Sequence, residues 1–153
     1  MISKLIVGIV TAGLLFTQAA FAGRATDGTV KIIYWQAPST LNPFLSGGTK
    51  DVESASMIIE PLARYNQDGE MLPFLAKEVP TVANGGVSSD LTSITWTLRD
   101  DILWSDGTPF TSADVKFTAD YCMHPEGGCA QMSKFGGVTC VETMGDYKVK
   151  VTF

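Results

Sequence analysis

Residues 94–117 read ITWTLRDDILWSDGTPFTSADVKF, and this stretch decides the fold. Thr95, Thr97 and Arg99 alternate with Trp96 and Leu98, the period-2 pattern of a half-buried strand. Asp106-Gly107 with Pro109 close behind is turn chemistry, because glycine tolerates positive φ and proline presets its own. Thr111-Ser112-Ala113-Asp114 then reads as a capping box, with a carboxylate at the third helical position. A strand, a tight turn and a capped helix therefore follow one another within two dozen residues.

Upstream, Thr29 to Trp35 is rich in β-branched and aromatic residues and is expected to form a first strand. Gln36 to Gly48 carries Pro38, Ser39, Asn42, Pro43, Ser46 and two glycines, which predicts a long ordered loop. Asp51 to Glu60 is a helix candidate with Val52, Ala55 and Ile59 as its apolar stripe, ended by Pro61. Leu62 to Tyr65 enters a short strand that Asp68-Gly69 turns, Leu72 to Ala76 is an apolar pad, and Val79 to Val82 leads into a loop at Asn84-Gly85-Gly86. Downstream, a cysteine-containing loop follows the capped helix, and Tyr147 to Phe153 is another alternating strand with Val149, Val151 and Phe153 on one face. No repeat and no low-complexity tract interrupts the chain.

The first residues carry an address. Met1 to Ala22 has a basic start at Lys4, an apolar run from Leu5 to Phe16 and the small-x-small site Ala20-Phe21-Ala22, the pattern of a secretory signal peptide. Its apolar core is about a dozen residues, short of the ~20 that span a bilayer, and no later stretch is longer. Export to the periplasm is expected, with the mature chain starting near Gly23. Of the 11 Lys and Arg and 16 Asp and Glu only Lys4 falls within this segment, so the remainder carries a formal charge of −6. Such an acidic, mixed surface argues against nucleic acid and anionic membrane as partners.

The run from Thr95 to Phe117 resembles the signature of the extracellular solute-binding proteins that serve peptide and nickel ABC importers. That signature is an aromatic and basic strand, then Trp104-Ser105-Asp106-Gly107-Thr108-Pro109-Phe110, then a helix opening with Thr, two small residues and Asp-Val. Leu41-Asn42-Pro43, Glu60-Pro61-Leu62, Asp68-Gly69 and Pro73-Phe74-Leu75-Ala76-Lys77-Glu78 are similar to other stretches of the same family.

The resemblance implies an α/β (mixed α+β) fold, a mixed sheet with flanking helices forming part of the first lobe of a two-lobed periplasmic binding protein. Residues 23–153 would then be a partial amino-terminal lobe, an amino-terminal fragment without the second lobe. No cysteine follows the cleavage site, so the lipid anchor of many such proteins is not expected. The implied function is capture of a peptide, or a related small solute, and its delivery to the permease subunits of an ABC transporter. The protein would act as a monomer, without a cofactor and without catalysis. An oligosaccharide- or nickel-binding member of the family is the alternative, and the aromatic residues flanking the first loop also suit sugar stacking.

Ligand contacts are expected at Gly47, Gly48, Thr49, Lys50 and Asp51, just before the first helix, with Trp35 and Gln36 at the end of the first strand as second choices. Two glycines let a ligand backbone approach closely, and Lys50 or Asp51 suits a charged terminus. The plainer reading leaves the glycines as a loop and Asp51 as a charge suited to the helix dipole. Trp96 and Trp104 are read as scaffold.

Three cysteines in an exported chain allow at most one internal pair. Cys122 and Cys129 flank a short loop with Pro125, Gly127 and Gly128, and some binding proteins of this type carry a similar pair after the same helix, so this disulfide is expected. Cys140 would be an unpaired thiol, buried on or beside a strand. The competing reading is a small secreted metal or redox module, with Cys122, His124 and Cys129 joined by Asp120 or Cys140 around zinc or copper. The spacing matches no standard zinc site, and an oxidising compartment favours the disulfide. No Gly-x-Ser-x-Gly, His-Glu-x-x-His or phosphate-loop motif is present, and one histidine leaves little room for a nucleophilic triad. A third possibility is an adaptor that presents its ligand to a receptor.

Overall fold

The computed structural model describes residues 28–153. The signal peptide expected over 1–22 lies outside them. Two units are distinguished, one ending at Ile33 and one running from Tyr34 to Phe153. In the first, residues 28–33 form neither helix nor strand. The strand expected from Thr29 to Trp35 is therefore absent. A strand exists only when its backbone groups join a continuous ladder, and residues 28–33 belong to none; Ile33 is 98% exposed.

In the second unit, helix α1 spans Thr49–Ala55, not Asp51 to Glu60. It starts two residues earlier because Gly48 is its N-cap and the Gly48 carbonyl accepts from the Asp51 and Val52 amides. It unwinds after Ala55 into turns, well before Pro61. Of the expected stripe only Ala55 is buried; Val52 and Ile59 are exposed.

Strands β1 (Ala63–Tyr65) and β2 (Met71–Pro73) form an antiparallel hairpin. Asn66 builds the turn, its Oδ1 accepting from the Asp68 and Glu70 amides at 2.9 Å each. Gly69 there has φ +80°, a conformation that suits glycine.

Strands β3 (Ser93–Thr97), β4 (Cys140–Thr143) and β5 (Lys148–Thr152) form the larger sheet, ordered β3-β5-β4. All its pairings are antiparallel, as in the hairpin, so the mixed sheet expected from the resemblance is antiparallel throughout the described residues. Trp96 lies opposite Val149, and Thr95 and Thr97 opposite Lys150 and Lys148, so one face is apolar and the other polar. Helix α2 (Ser112–Met123) covers the apolar face. Leu98, Phe110, Ala119, Val141 and Val149 form the buried centre, with Leu75, Trp96, Val115, Phe135 and Val151 packed around it. Phe153, on the expected apolar face, lies past the ladder and is half-exposed.

The turn and cap expected from residues 94–117 both form. The Trp104 amide donates to the Thr108 carbonyl at 2.8 Å, and the Asp106 carboxylate accepts from the Thr108 amide and hydroxyl. Thr111 and Asp114 form the capping box, with the Thr111 amide donating to Asp114 Oδ2 at 2.7 Å. Buried Ser112 then ties the helix start to the β4–β5 turn through its amide on Asp146 O and its hydroxyl on Gly145 O, both 2.7 Å. Trp96 is partly buried against the core, whereas Trp104 is half-exposed and meets Phe110 edge-on with ring centroids 5.9 Å apart.

Candidate functional site

Residues 36–48 carry no regular structure, and their shape comes from side chains. Asn42 folds the middle of the loop: its carbonyl accepts from the Leu45 amide at 3.1 Å and its Oδ1 from the Phe44 amide at 2.9 Å. At the start of α1, Asp51 is only 2% exposed and collects four donors. They are the Ser39 and Thr40 amides, the Ser46 hydroxyl at 2.6 Å and Lys50 Nζ at 3.0 Å. Lys50 also donates to the Ser39 hydroxyl. The Ser46 hydroxyl holds the Asp51 carboxyl far below its ordinary range, against the opposing effect of burial, and the Ser39 amide, Lys50 and the Thr40 amide act in the same direction as the hydroxyl.

A second support comes from far along the chain. Cys122 is bonded to Cys129, as expected, with their Cα atoms 4.9 Å apart. Directly after this bridge the Ala130 amide donates to Phe44 O at 2.8 Å. Gln131 Nε2 donates to both Pro43 O and Ser46 O at 3.3 Å.

Of the residues predicted to meet ligand, Gly47, Gly48, Thr49, Lys50 and Asp51 therefore sit together at the loop–helix junction. Gly47 and Thr49 are exposed, Gly48 and Lys50 partly so, and the Asp51 carboxylate is occupied by the loop itself. A Cβ at Gly48 would lie 3.4 Å from Asp51 Oδ2 and Ser46 Oγ, while Gly47 faces open space. Trp35 and Gln36 are exposed, but no strand presents them. Sequence reasoning missed Ser39, Ser46 and Gln131. The serines stood within the predicted loop, whereas nothing local at Gln131 pointed to a partner 85 residues away.

Cys140 opens β4, the strand at the side of the sheet order, with its side chain opposite to that of buried Val141. It is exposed, not buried as expected. The bond between Cys122 and Cys129 removes both as thiolate ligands, and among the described residues no group of His, Cys, Asp and Glu is placed to hold a metal. A shallow cleft of about 200 Å³ lies on the polar face of β3 and β5, lined by Glu78, Asn84, Thr95, Thr97 and Lys148; none of the predicted contacts lines it.

This architecture is that of part of a periplasmic binding protein. A structure of NikZ from Campylobacter jejuni in complex with Ni(L-His) superposes with a TM-score of 0.65 at 26% identity, over 77% of this chain and 22% of that one. AgaA from A. tumefaciens R10 in complex with agropinic acid gives 0.66 at 31%, over 76% and 22%. The chain belongs to the bacterial extracellular solute-binding proteins, family 5, whose middle model matches residues 70–153. Among curated relatives, the oligopeptide-binding protein OppA of Bacillus subtilis is 28% identical over an alignment 131 residues long that covers 76% of this chain and 23% of that protein. The periplasmic murein peptide-binding protein MppA of Escherichia coli is 32% identical over 58% of this chain and 15% of that protein. The nickel-binding periplasmic protein of E. coli is 40% identical over 46% and 12%. The chain thus spans less than a quarter of the length of these relatives.

Proposed function

We propose that this chain is part of the substrate-binding component of an ABC importer, which captures peptides in the periplasm and hands them to a membrane permease. Family membership carries the reading, and two relatives named for peptide binding, which cover 76% and 58% of this chain against 46% for the nickel-binding one, favour peptide as the solute. Residues 1–22 direct export and are removed, and residues 23–153 supply part of the first lobe. No described helix is long and apolar enough to cross a membrane. Capture proceeds by hinge closure of two lobes around the ligand. Affinity comes from burial of most of its surface plus a few fixed polar groups.

The loop–helix junction is the ligand wall on this lobe. Gly47 and Thr49 offer backbone to an extended peptide, which binds through main-chain hydrogen bonds. Lys50 and Asp51 act mainly by setting the loop, because each is already engaged with Ser39. The whole secreted protein works as a monomer without catalysis.

The test is titration of the full-length protein with trialanine, a maltooligosaccharide and a nickel–histidine complex, followed by tryptophan fluorescence. Saturation by trialanine at one-to-one stoichiometry is expected. A response to the sugar or the nickel complex alone would reassign the solute, and silence toward all three would overturn the reading. Residues 23–153 alone should bind none of them tightly, since half the cleft wall is missing.

A further inference from the structure

We infer that the disulfide loop after α2 is a strut that holds the loop before α1 in shape, with Gln131 as its positioning residue. The two segments are more than 80 residues apart in sequence, yet three donors cross between them. The Ala130 amide reaches Phe44 O, and the Gln131 carboxamide bridges Pro43 O and Ser46 O. Those three carbonyls belong to the stretch whose other end is tied to Asp51 through Ser46 Oγ. Ser46 is thus gripped twice, by Gln131 at its carbonyl and by Asp51 at its hydroxyl.

The geometry of the strut depends on the bridge. Cys122 is completely buried in the last turn of α2 and Cys129 is 6% exposed. The bond between them fixes where residues 130 and 131 emerge from the core. Without it, the intervening turn would rest on short-range bonds: the His124 amide on Asp120 O and Tyr121 O, the Gly127 amide on His124 O and the Glu126 amide on His124 Nδ1. Short-range bonds of that kind open readily. The bridge therefore does more than shorten the unfolded chain: it transmits the rigidity of α2 to the loop at residues 43–48. Its weight for binding rests on the proposed reading of that loop as a ligand wall.

Single-amide hydrogen exchange on the intact secreted protein tests the strut without any ligand. Gln131→Met keeps the length of the side chain and removes its donors. In this variant the Leu45 and Gly48 amides should exchange about tenfold faster, the scale of losing one or two neutral hydrogen bonds. Leu98 and Ser112, whose amides bond to Tyr147 O and Asp146 O, should keep wild-type rates. Cys122→Ala with Cys129→Ala should accelerate Leu45 and Gly48 and, in addition, Ala130. Wild-type rates at Leu45 and Gly48 in Gln131→Met overturn the inference. If the double alanine variant unfolds globally, Gln131→Met with its bridge intact still decides. Accelerated exchange together with an unchanged trialanine affinity upholds the strut and overturns the reading of the loop as ligand wall.

Discussion

Removing the Cys122–Cys129 bridge by substituting both cysteines with alanine is the perturbation whose size follows most directly from the structure. The bridge spans a sequence separation of 7. In the chain-entropy description, freeing a loop that short from the unfolded ensemble costs about 2.4 kcal/mol at 25 °C. Residues 34–153 form one unit of intermediate size, for which each kcal/mol moves the melting temperature by about 4 °C. The double variant should melt about 10 °C below the parent chain, read by circular dichroism at 222 nm. Cys140→Ser is the control: that thiol is exposed and unpaired, so its melting point should stay within about 2 °C. Intact mass fixes the redox state, since the bridged parent is two mass units lighter than the reduced chain. A fall of less than about 2 °C in the double variant, with the bridge proven in the parent, would refute the reasoning. It would mean that the turn at residues 123–128 is held as firmly without the bond.

Leu98 is fully buried at the centre of the core, so Leu98→Ala should cost about 2–5 kcal/mol in urea unfolding, while exposed Phe117→Ala should stay within about 0.5 kcal/mol. A Cβ at Gly127 would stand 2.4 Å from Tyr121 O, so Gly127→Ala should lower the melting point and slow oxidative closure of the bridge, followed by thiol titration during refolding. Asp51 has a folded-state pKa depressed below its ordinary value of 3.8. The stability it contributes is therefore complete at neutral pH and lost only as pH falls below the ordinary carboxylate range. The melting-point gap between wild type and Asp51→Asn should be constant from pH 7 to pH 5 and shrink toward pH 2; a constant gap throughout would contradict this.

Much of residues 94–117 was legible because each signal there is local. Alternation, a glycine in the turn and a Thr–Asp cap all act within a few residues, and Leu98, Gly107 and Asp114 stand where those signals put them. What failed depends on partners. The residues from Thr29 to Trp35 have strand composition, but pairing decides a strand, and composition cannot supply a neighbour. Cys140 looked apolar enough to bury, yet the strand order β3-β5-β4 places it at the side of the sheet, pointing away from Val141. The start of α1 lies two residues before Asp51 because Gly48 is its N-cap, and the Asp51 carboxylate, inside the first turn, gathers the loop behind it. The cluster Gly47 to Asp51 was visible as a glycine-rich entry to a helix. Its supports were not, because Gln131 reaches it only through the tertiary fold.

The central claim is that this sequence is one part of a larger two-lobed protein that binds its solute between the lobes. It is tested most directly by the intact mass of the mature protein released from its native periplasm. The account predicts a chain that starts near Gly23 and is several-fold heavier than the 16.4 kDa of these residues. A mass matching residues 23–153 alone would contradict it, because a single partial lobe has no second wall to close on a ligand.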